Sequence, residues 1–573
     1  MRGRQLAVSL VAVVLTATAT TLALAQSASQ VTPDVTPAVS EGTSQVLVFS
    51  GEPGLGAPAG AEGLSVALSG VSIEGGKPEL AAATAELQAA LTGRVSVADI
   101  FARARDLEAA YADAGYFLVR VVVPAQQLVD GGRLHLSVVD GFLERVDADD
   151  LPDPIRSRVL ALVEPLLDRP GVTMREIERR LLLAGDIPGT GLKTALATGV
   201  QPGGTVLVVD AEFDAIVPFL GVDNTLPPSL GTWVVSGGVD FNGLLGAGES
   251  IYFRAAGHPS GNGPGDKFGL FDDDPRYRSL TAGAIMPIGL DGLTLNIEGT
   301  VTQTTPTPVG GLQLSSLFQR LSSELRYPFI RSREFSLNGA LSFDIQNEYQ
   351  NIITGVGDIA LSEDRVRVFR ASTDGIWNAP AGTVTGSATF SLGIDGLGAR
   401  NAAGAGPVPL SRQGADASFA KLEASLGYAQ TLSQHLAFSL DARAQTSFGV
   451  PLVRSEQIGI AGFADLSGFD AGALTGDSGW VVRAEMSAPF EMPVGDIGLA
   501  AAPYVFGAVG AVYLAQPTIL ESATITAQSI GVGLRLGGSI GDTSPTLTLE
   551  YARAFRSDAP ASDRLTVVSS VRF

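Results

Sequence analysis

The sequence contains no cysteine, which excludes disulfides, zinc-thiolate sites and thiol nucleophiles together. Its three histidines, His135, His258 and His435, are widely separated, and none sits in a protease-like context. Basic residues are outnumbered, 38 Lys and Arg against 59 Asp and Glu, for a formal net charge of -21. Such a chain is a poor match for a phosphate backbone, so no nucleic-acid partner is expected. The acidity reads as solubility of loops and soluble domains, with an acidic pore lining as the sharper alternative. No Gly-x4-Gly-Lys-Ser/Thr and no His-Glu-x-x-His occurs, so neither nucleotide nor zinc chemistry is suggested. No cofactor, metal or enzymatic activity is expected.

Long hydrophobic runs are also missing. A membrane helix needs roughly 20 consecutive apolar residues, and beyond residue 25 Gly, Ser, Thr, Asn or a charge always interrupts. Yet hydrophobic residues make up 45%, glycine accounts for 69 positions and mean hydropathy is +0.25. A transmembrane barrel conceals its hydrophobicity in this way, on alternate positions of many strands.

What is present falls into regions. Arg2 and Arg4, the apolar run Leu6 to Leu15 and the closing Ala23-Leu24-Ala25 read as a secretory signal over residues 1–25, cleaved before Gln26. Residues 26–61 are rich in Ser, Thr, Pro, Gly and Ala without a sustained period, a flexible leader in which no stable element is expected. From Leu64 to Phe213 the pattern is mixed α/β. Ser96 with Asp99 opens a helix with the apolar face Ile100, Phe101, Ala104, Leu107 and Tyr111, stopped at Gly115. Strands are expected over Tyr116–Val123 and Arg133–Val139, around a turn at Asp130-Gly131-Gly132. A second unit follows, with helices near Ile155–Leu166 and Met174–Leu183 and strands near Leu192–Ala197 and Thr205–Phe213.

From about Val217 the period becomes two. Phe335, Leu337, Leu341, Phe343 and Ile345 alternate with Ser336, Asn338, Ser342 and Asp344. Leu293, Leu295, Ile297 and Val301 alternate with Thr294, Asn296, Glu298 and Thr300, and the same holds from Leu436 to Arg443 and from Thr546 to Tyr551. A soluble sandwich would show the same alternation. About sixteen such segments, joined by alternating short and long links, favour a barrel. The last strand puts Leu565, Val567, Val571 and the terminal Phe573 on one face.

Three stretches carry a resemblance: Val123-Pro124-Ala125-Gln126-Gln127-Leu128, Gly131-Gly132-Arg133-Leu134 and Val139-Asp140-Gly141-Phe142-Leu143-Glu144. With Ile73-Glu74-Gly75 and Gly115-Tyr116 they resemble the first POTRA domain of two-partner secretion transporters, the ShlB/FhaC/HecB-type hemolysin activation and secretion family. Glu178 to Gly189 is similar to that family's second POTRA domain. Val222-Asp223-Asn224, Asn242 to Glu249 and Tyr327 to Arg333 are similar to its barrel hairpins. The resemblance implies a mainly β fold, with two small α/β POTRA domains (62–142 and 143–214) before a sixteen-stranded antiparallel transmembrane barrel (215–573). It implies an outer-membrane location with the POTRA domains in the periplasm, and export of a large unfolded partner protein. Tyr116, Pro124, Gln126, Leu134 and Gly141 would serve client binding, although Pro124 and Gly141 more simply set turns and Tyr116 and Leu134 more simply fill cores. Phe573 would be the signal read by the barrel assembly machinery, and outer-membrane lipids would surround the barrel.

The family folds its sixth outer loop into the pore on a Val-Arg-Gly-Phe/Tyr tip, and the arginine pairs with a wall aspartate in a Phe-x-Asp pattern. Here the long loop 448–480 carries Leu466-Ser467-Gly468-Phe469 as its tip and Gly476, Asp477 and Gly479 in its stem, and the wall match is Phe506-Gly507-Ala508. Both charges are gone, which avoids stranding one of them at a cost of several kcal/mol, and the loop is expected to enter the lumen on other contacts. The family often plugs the pore with an N-terminal helix; residues 26–61 offer no helical period for one. Gly476-Asp477-Ser478-Gly479 also matches a trypsin-like nucleophile segment, and Gly537-Gly538-Ser539-Ile540-Gly541 a hydrolase elbow, but neither has a placed histidine. Asp272-Asp273-Asp274 lacks calcium-loop spacing and reads as a solvated loop. Rival readings are a barrel insertase of the same superfamily and a passive porin.

Overall fold

In the computed structural model the described residues are 27–37, 48–50, 57–260, 269–354, 356–494, 497–541 and 543–573. The expected signal segment lies outside them. Two small modules precede a barrel. In the first, β2 (Ser65–Leu68) pairs with β4 (Gly93–Ser96), while β3 (Gly70–Glu74), β6 (Arg133–Val139) and β5 (Arg120–Val122) form a sheet in the order β3-β6-β5. Helices α1 (Ala81–Ala90) and α2 (Val97–Asp113) cover it. The Ser96 hydroxyl accepts from the Asp99 amide and the Asp99 carboxylate accepts from the Ser96 amide, so both orphan donors at the start of α2 are satisfied. Ile100, Ala104, Leu107 and Tyr111 are buried against Leu134 and Leu136.

One expected strand is shorter than its pattern. Tyr116–Val119 turns instead of extending, with the Val119 amide donating to the Tyr116 carbonyl, and Pro124 supplies no amide for a ladder. Only Arg120–Val122 pairs with β6.

In the second module β7 (Phe142–Asp147), α3 (Asp153–Val163), α4 (Met174–Gly185), β8 (Thr190–Thr198) and β9 (Gly204–Phe213) build a sheet in the order β1-β8-β9-β7. Its edge strand β1 is Val48–Ser50, from the leader, running parallel to β8. The leader therefore does contain ordered elements, contrary to the expectation for residues 26–61. A three-residue strand borrows its ladder from the module and needs no period of its own.

The barrel begins with β10 (Ile216–Asp223), β11 (Val234–Asn242), β12 (Ser250–Gly257), β13 (Tyr277–Ile288) and β14 (Leu293–Thr304). It continues through β15 (Gln313–Arg331), β16 (Phe335–Ile353), β17 (Ile359–Ala379), β18 (Gly382–Gly393), β19 (Ala420–Ser433) and β20 (Leu436–Thr446). Ser478–Ser487 and Phe490–Val494 both pair with Ile497–Tyr513 and form one interrupted strand; Thr524–Ser539, Ser544–Arg556 and Ala559–Arg572 complete sixteen. The last pairs with β10, Phe219 opposite Arg572, and closes the cylinder.

Burial decides between sandwich and barrel. On β16 Leu341 is 66% exposed while Asp344 is 5% and Glu348 2%; on β14 Ile297 is 48% exposed and Glu298 3%. Apolar side chains face outward and polar ones inward, as a lipid-embedded wall with a polar interior requires. Hydroxyls knit the inner face, Ser279 to Thr302 at 3.0 Å and Thr281 to Thr300 at 3.1 Å.

Candidate functional site

The lumen is occupied by two segments of the chain itself. The first is the start of the described leader. Ala28–Val31 forms one 3-10 turn, and Ser27 and Ala28 are fully buried inside the barrel. The Ala28 amide donates to the Ser316 hydroxyl at 3.1 Å. The Ser29 amide and hydroxyl both donate to the Glu348 carboxylate, at 3.1 and 2.8 Å. Thr32 donates to Thr302, Thr36 to Glu298, and the Tyr277 hydroxyl to the Val31 carbonyl. The segment thus lies against the hydroxyl-rich and acidic wall of β13–β16. Residues 26–61 offer no helical period, and the segment they place in the lumen is a single 3-10 turn. A short polar turn needs no amphipathic period when the wall it meets is polar, which is why helical periodicity could not reveal it.

The second segment is the long loop between β20 and the strand Ser478–Ser487. Its stem is closed by a two-residue ladder of Ile458–Gly459 with Thr475–Gly476. At the tip Leu466 is fully buried, Ser467 is 1% and Phe469 6% exposed. Leu466 and Phe469 pack with Ile460, Leu474, Val512, Ala527, Ala554 and Ala508, so Ala508, at the position where the family carries an aspartate, belongs to an apolar cluster. Gly468 lies so close to the wall that a Cβ there would meet the Ala554 Cβ at 2.4 Å. Ser467 accepts from Arg483 Nη1 at 3.2 Å. Arg483 belongs to the wall; its Nη2 pairs with Glu550 at 2.6 Å and its guanidinium lies 3.7 Å from the Phe506 ring centroid. An arginine is therefore still at the tip, but it comes from the wall.

The polarity of the remaining contacts follows suit. In its ion pairs the loop supplies the acids and the wall or a neighbouring loop the bases, while Arg454 of the loop donates to Gln350 of the wall. Glu456, fully buried, pairs with Arg370 at 2.6 Å and Lys421 at 3.0 Å. Asp465 pairs with Arg443 and Asp470 with Arg564. Asp477 pairs with Arg412 at 3.2 Å and accepts from the Leu452 and Ala515 amides. Asp477 is thereby consumed in holding the stem, and the neighbouring Ser478 hydroxyl bonds to Ser447, as a structural reading of Gly476 to Gly479 requires. Gly476 and Gly479 are buried beside it. The two luminal segments meet where Gln30 donates to Thr475 at 3.4 Å.

The lumen carries buried acids, among them Glu298, Asp344, Glu348 and Glu550, but also Arg370, Lys421 and Arg483. Its lining is mixed, so the acidic-pore alternative describes only part of it. No group of three metal-ligating side chains occurs among the described residues.

At the mouth near the modules, Arg331 at the end of β15 makes two bonds to Asp186 after α4, at 2.9 and 2.6 Å. Arg180 donates to the Leu290 carbonyl at 2.7 Å, and Glu178 accepts from the Arg333 amide at 3.0 Å. Short turns meet the modules, so the long loop opens at the opposite end.

In the first module Leu134 is fully buried and Gly141 is buried where a Cβ would meet the Leu118 carbonyl at 2.1 Å. Both serve packing in this conformation. Pro124 is exposed. The Tyr116 hydroxyl donates to Glu79 at 2.6 Å, which holds the Glu79 carboxyl below and the Tyr116 phenol above their usual ranges. Gln126 bonds both the amide and the carbonyl of His135, at 2.9 and 2.7 Å, so its side-chain amide stands where a neighbouring strand would pair with β6. Phe573 is half-exposed on the outer face, its amide donating to Pro218. Sequence reasoning missed Arg370, Glu456, Arg483, Glu550 and Ser29. Their only available signal was a charge or hydroxyl on the polar phase of a strand or within a loop.

A closed sixteen-stranded cylinder with an apolar exterior, a long loop folded inward and small α/β modules docked at one mouth defines an outer-membrane barrel with periplasmic POTRA domains. Residues 203–536 match the haemolysin secretion/activation protein family ShlB/FhaC/HecB, and residues 66–141 the ShlB-type POTRA domain. The chain belongs to this family of two-partner secretion transporters. It is 23% identical over 528 residues to the outer membrane transporter CdiB of Escherichia coli O6:K15:H31, covering 89% of this chain and 82% of that one. It is 21% identical over 451 residues to the heme/hemopexin transporter protein HuxB of Haemophilus influenzae, covering 77% and 75%. The solved structure of CdiB from Escherichia coli superposes with a TM-score of 0.67 at 19% identity, covering 95% of each chain.

Proposed function

We propose that the POTRA modules capture an unfolded partner protein in the periplasm and that the barrel conducts it outward once the leader turn and the long loop give up the lumen. The observation that carries this reading is the filling of the lumen by two segments of the chain, held to a polar wall by hydrogen bonds and ion pairs. Contacts of that kind can be exchanged for those of another extended polypeptide. Capture in the first module would use the part of β6 around His135 that extends past the short β5, where Gln126 already satisfies His135 as a strand would, with Tyr116 and Pro124 near it and Leu134 and Gly141 holding the sheet. Leu466 to Phe469 act as the luminal anchor and Gly476, Asp477 and Gly479 as its stem. Phe573 serves the barrel assembly machinery, and the outward apolar band meets outer-membrane lipid. The working boundaries are a signal at 1–25, a leader at 26–61, modules at 62–142 and 143–214, and the barrel at 215–573.

Planar-bilayer conductance of the mature protein, with and without residues 460–474, tests the reading alongside secretion of a candidate partner. Deletion is expected to enlarge conductance and abolish secretion. Unchanged conductance together with undiminished secretion would show that the loop has no part in transport.

A further inference from the structure

We propose that the cavity at the periplasmic mouth is an entry site for the unfolded client, which it holds as a short extended segment with a basic side chain on Glu324 and an acidic one on Arg158. This deepens the transporter reading and rests on it. The cavity measures about 580 Å³ and is walled by the second module, strands β13–β17 and the leader. Its charged lining is Asp34, Arg158, Asp186, Glu324, Arg326 and Arg331. Half of these charges are matched, Arg331 by Asp186 and Arg326 by Asp374, at 2.6 Å each. Arg158 and Glu324 make no side-chain hydrogen bond or ion pair among the described residues. Asp34 accepts from the Thr36 amide of its own segment at 3.4 Å.

A charge drawn partly out of water without a partner is costly, and its retention calls for a reason. The Arg158 Nε is buried with no acceptor, and burial alone draws the guanidinium below the ordinary arginine range. Glu324 faces like charge from Asp34, while Arg326, which would favour its ionised form, is held by Asp374. The two free charges suit a ligand that carries both signs. The rest of the lining is largely apolar, with Leu162, Ile187, Ile285 and Ile376, and an apolar cavity with a few placed polar groups is the form a binding site takes. Position selects a polypeptide as the occupant. The cavity joins the modules, which capture the client in the transporter reading, to the lumen, and part of its wall is itself a polypeptide segment, the leader at Asp34, Thr36 and Pro37. Arg158 belongs to α3 and Glu324 to β15, so both remain when the leader goes and Asp34 departs with it. A client segment seated there is already beside the lumen when the leader vacates it.

The test uses the full chain in detergent and fluorescence anisotropy of a labelled peptide of alternating valine and serine, with a lysine near one end and a glutamate near the other. Both orders of the two charges are measured, and the tighter is taken. Wild type is expected to bind it about 10-fold more tightly than the same peptide with glutamine at both places. Arg158→Glu is expected to reject that peptide and to accept one with lysine at both ends, which wild type refuses; a merely structural role for Arg158 would not reverse the preference. Glu324→Gln is expected to weaken binding by about 10-fold while the barrel keeps its heat-modifiable mobility on gels. Equal affinity of wild type for the charged and the glutamine peptides overturns the proposal, as does loss of binding in Arg158→Glu without gain of the lysine peptide. In cells, R158E/E324Q is expected to lower secretion of the candidate partner by about 10-fold or more. Secretion by this double variant at the wild-type level overturns the proposal and leaves the transporter reading intact. If wild type itself secretes nothing, the transporter reading fails, and the peptide comparison still decides whether the cavity is a polypeptide site.

Discussion

The first POTRA module and the barrel are written in similar alternation and folded in opposite senses. On β6, Leu134 and Leu136 are the buried phase and His135 the exposed one; on β16, Leu341 is exposed and Asp344 and Glu348 are buried. Side-chain period fixes which residues share a face and says nothing about which medium that face meets. The medium is settled by number of strands and closure, since only a closed ladder can satisfy its backbone in lipid.

The contrast can be broken most sharply by placing the same change in each region. Leu134→Asp puts an unpaired carboxylate into a dry core, at a cost of several kcal/mol, a large fraction of what a small domain has. The first module is expected to lose protease resistance while the barrel keeps its heat-modifiable mobility on gels. Leu341→Asp, facing lipid, is expected to cost less than the roughly 2–4 kcal/mol of a midplane Arg or Lys and to leave the barrel folded. Comparable damage from the two would mean that Leu341 is not on the lipid face.

A second comparison separates the luminal core from a soluble one. Arg483→Ala leaves Glu550 buried without its cation, and breaking such a pair costs about 3–5 kcal/mol. It also removes the donor to Ser467, so the tip is expected to detach and single-channel conductance to rise. Because an ion pair can be replaced by apolar groups of similar volume at little net cost, R483M/E550L should conduct more nearly like wild type than either single variant. A double variant as leaky as R483A would show that the tip depends on the charge itself and not on the surrounding apolar cluster of Leu466, Phe469 and Ala508.

Most of the architecture was legible in the sequence because it depends on local signals. The Ser96 and Asp99 cap, the turn at Asp130 to Gly132 and the period-two segments each state their own conformation. The resemblance at Asn242 to Glu249 and Tyr327 to Arg333 located turns that do lie at the POTRA side, where Arg331 reaches Asp186. The luminal contacts were not legible, because pairs such as Arg370 with Glu456 and Ser29 with Glu348 join residues far apart in the chain through a cavity that exists only after closure. The leader was misjudged for the same reason. Its turn and its β1 strand are ordered by partners, Ser316, Glu348 and the β8 edge, and by no pattern of their own. The loss of Arg and Asp from the loop latch was legible as an absence; its replacement by a wall arginine and an acidic loop was not.

The smallest expected effect concerns a carboxylate that behaves as one in a soluble domain should. Glu176 closes the capping box of α4, accepting from the Thr173 amide and hydroxyl at 2.9 Å each. The Thr173 amide bond chiefly, against a desolvation that works the other way, holds its carboxyl below the ordinary value of 4.5, with the Thr173 hydroxyl and Arg169 assisting. A folded-state pKa that is depressed means a contribution present above that ordinary value and lost as pH falls through the folded one. Glu176→Gln is therefore expected to lower the melting temperature of the POTRA region at pH 7 by the equivalent of about 0.5–1 kcal/mol, reduced by solvent exposure. The difference from wild type should shrink as the pH is taken well below 4.5. A difference that stays constant across this range would assign the effect to packing of the side chain and not to its charge. The POTRA modules would then resemble the barrel, where position in the wall counts for more than titration, more closely than their soluble core suggests.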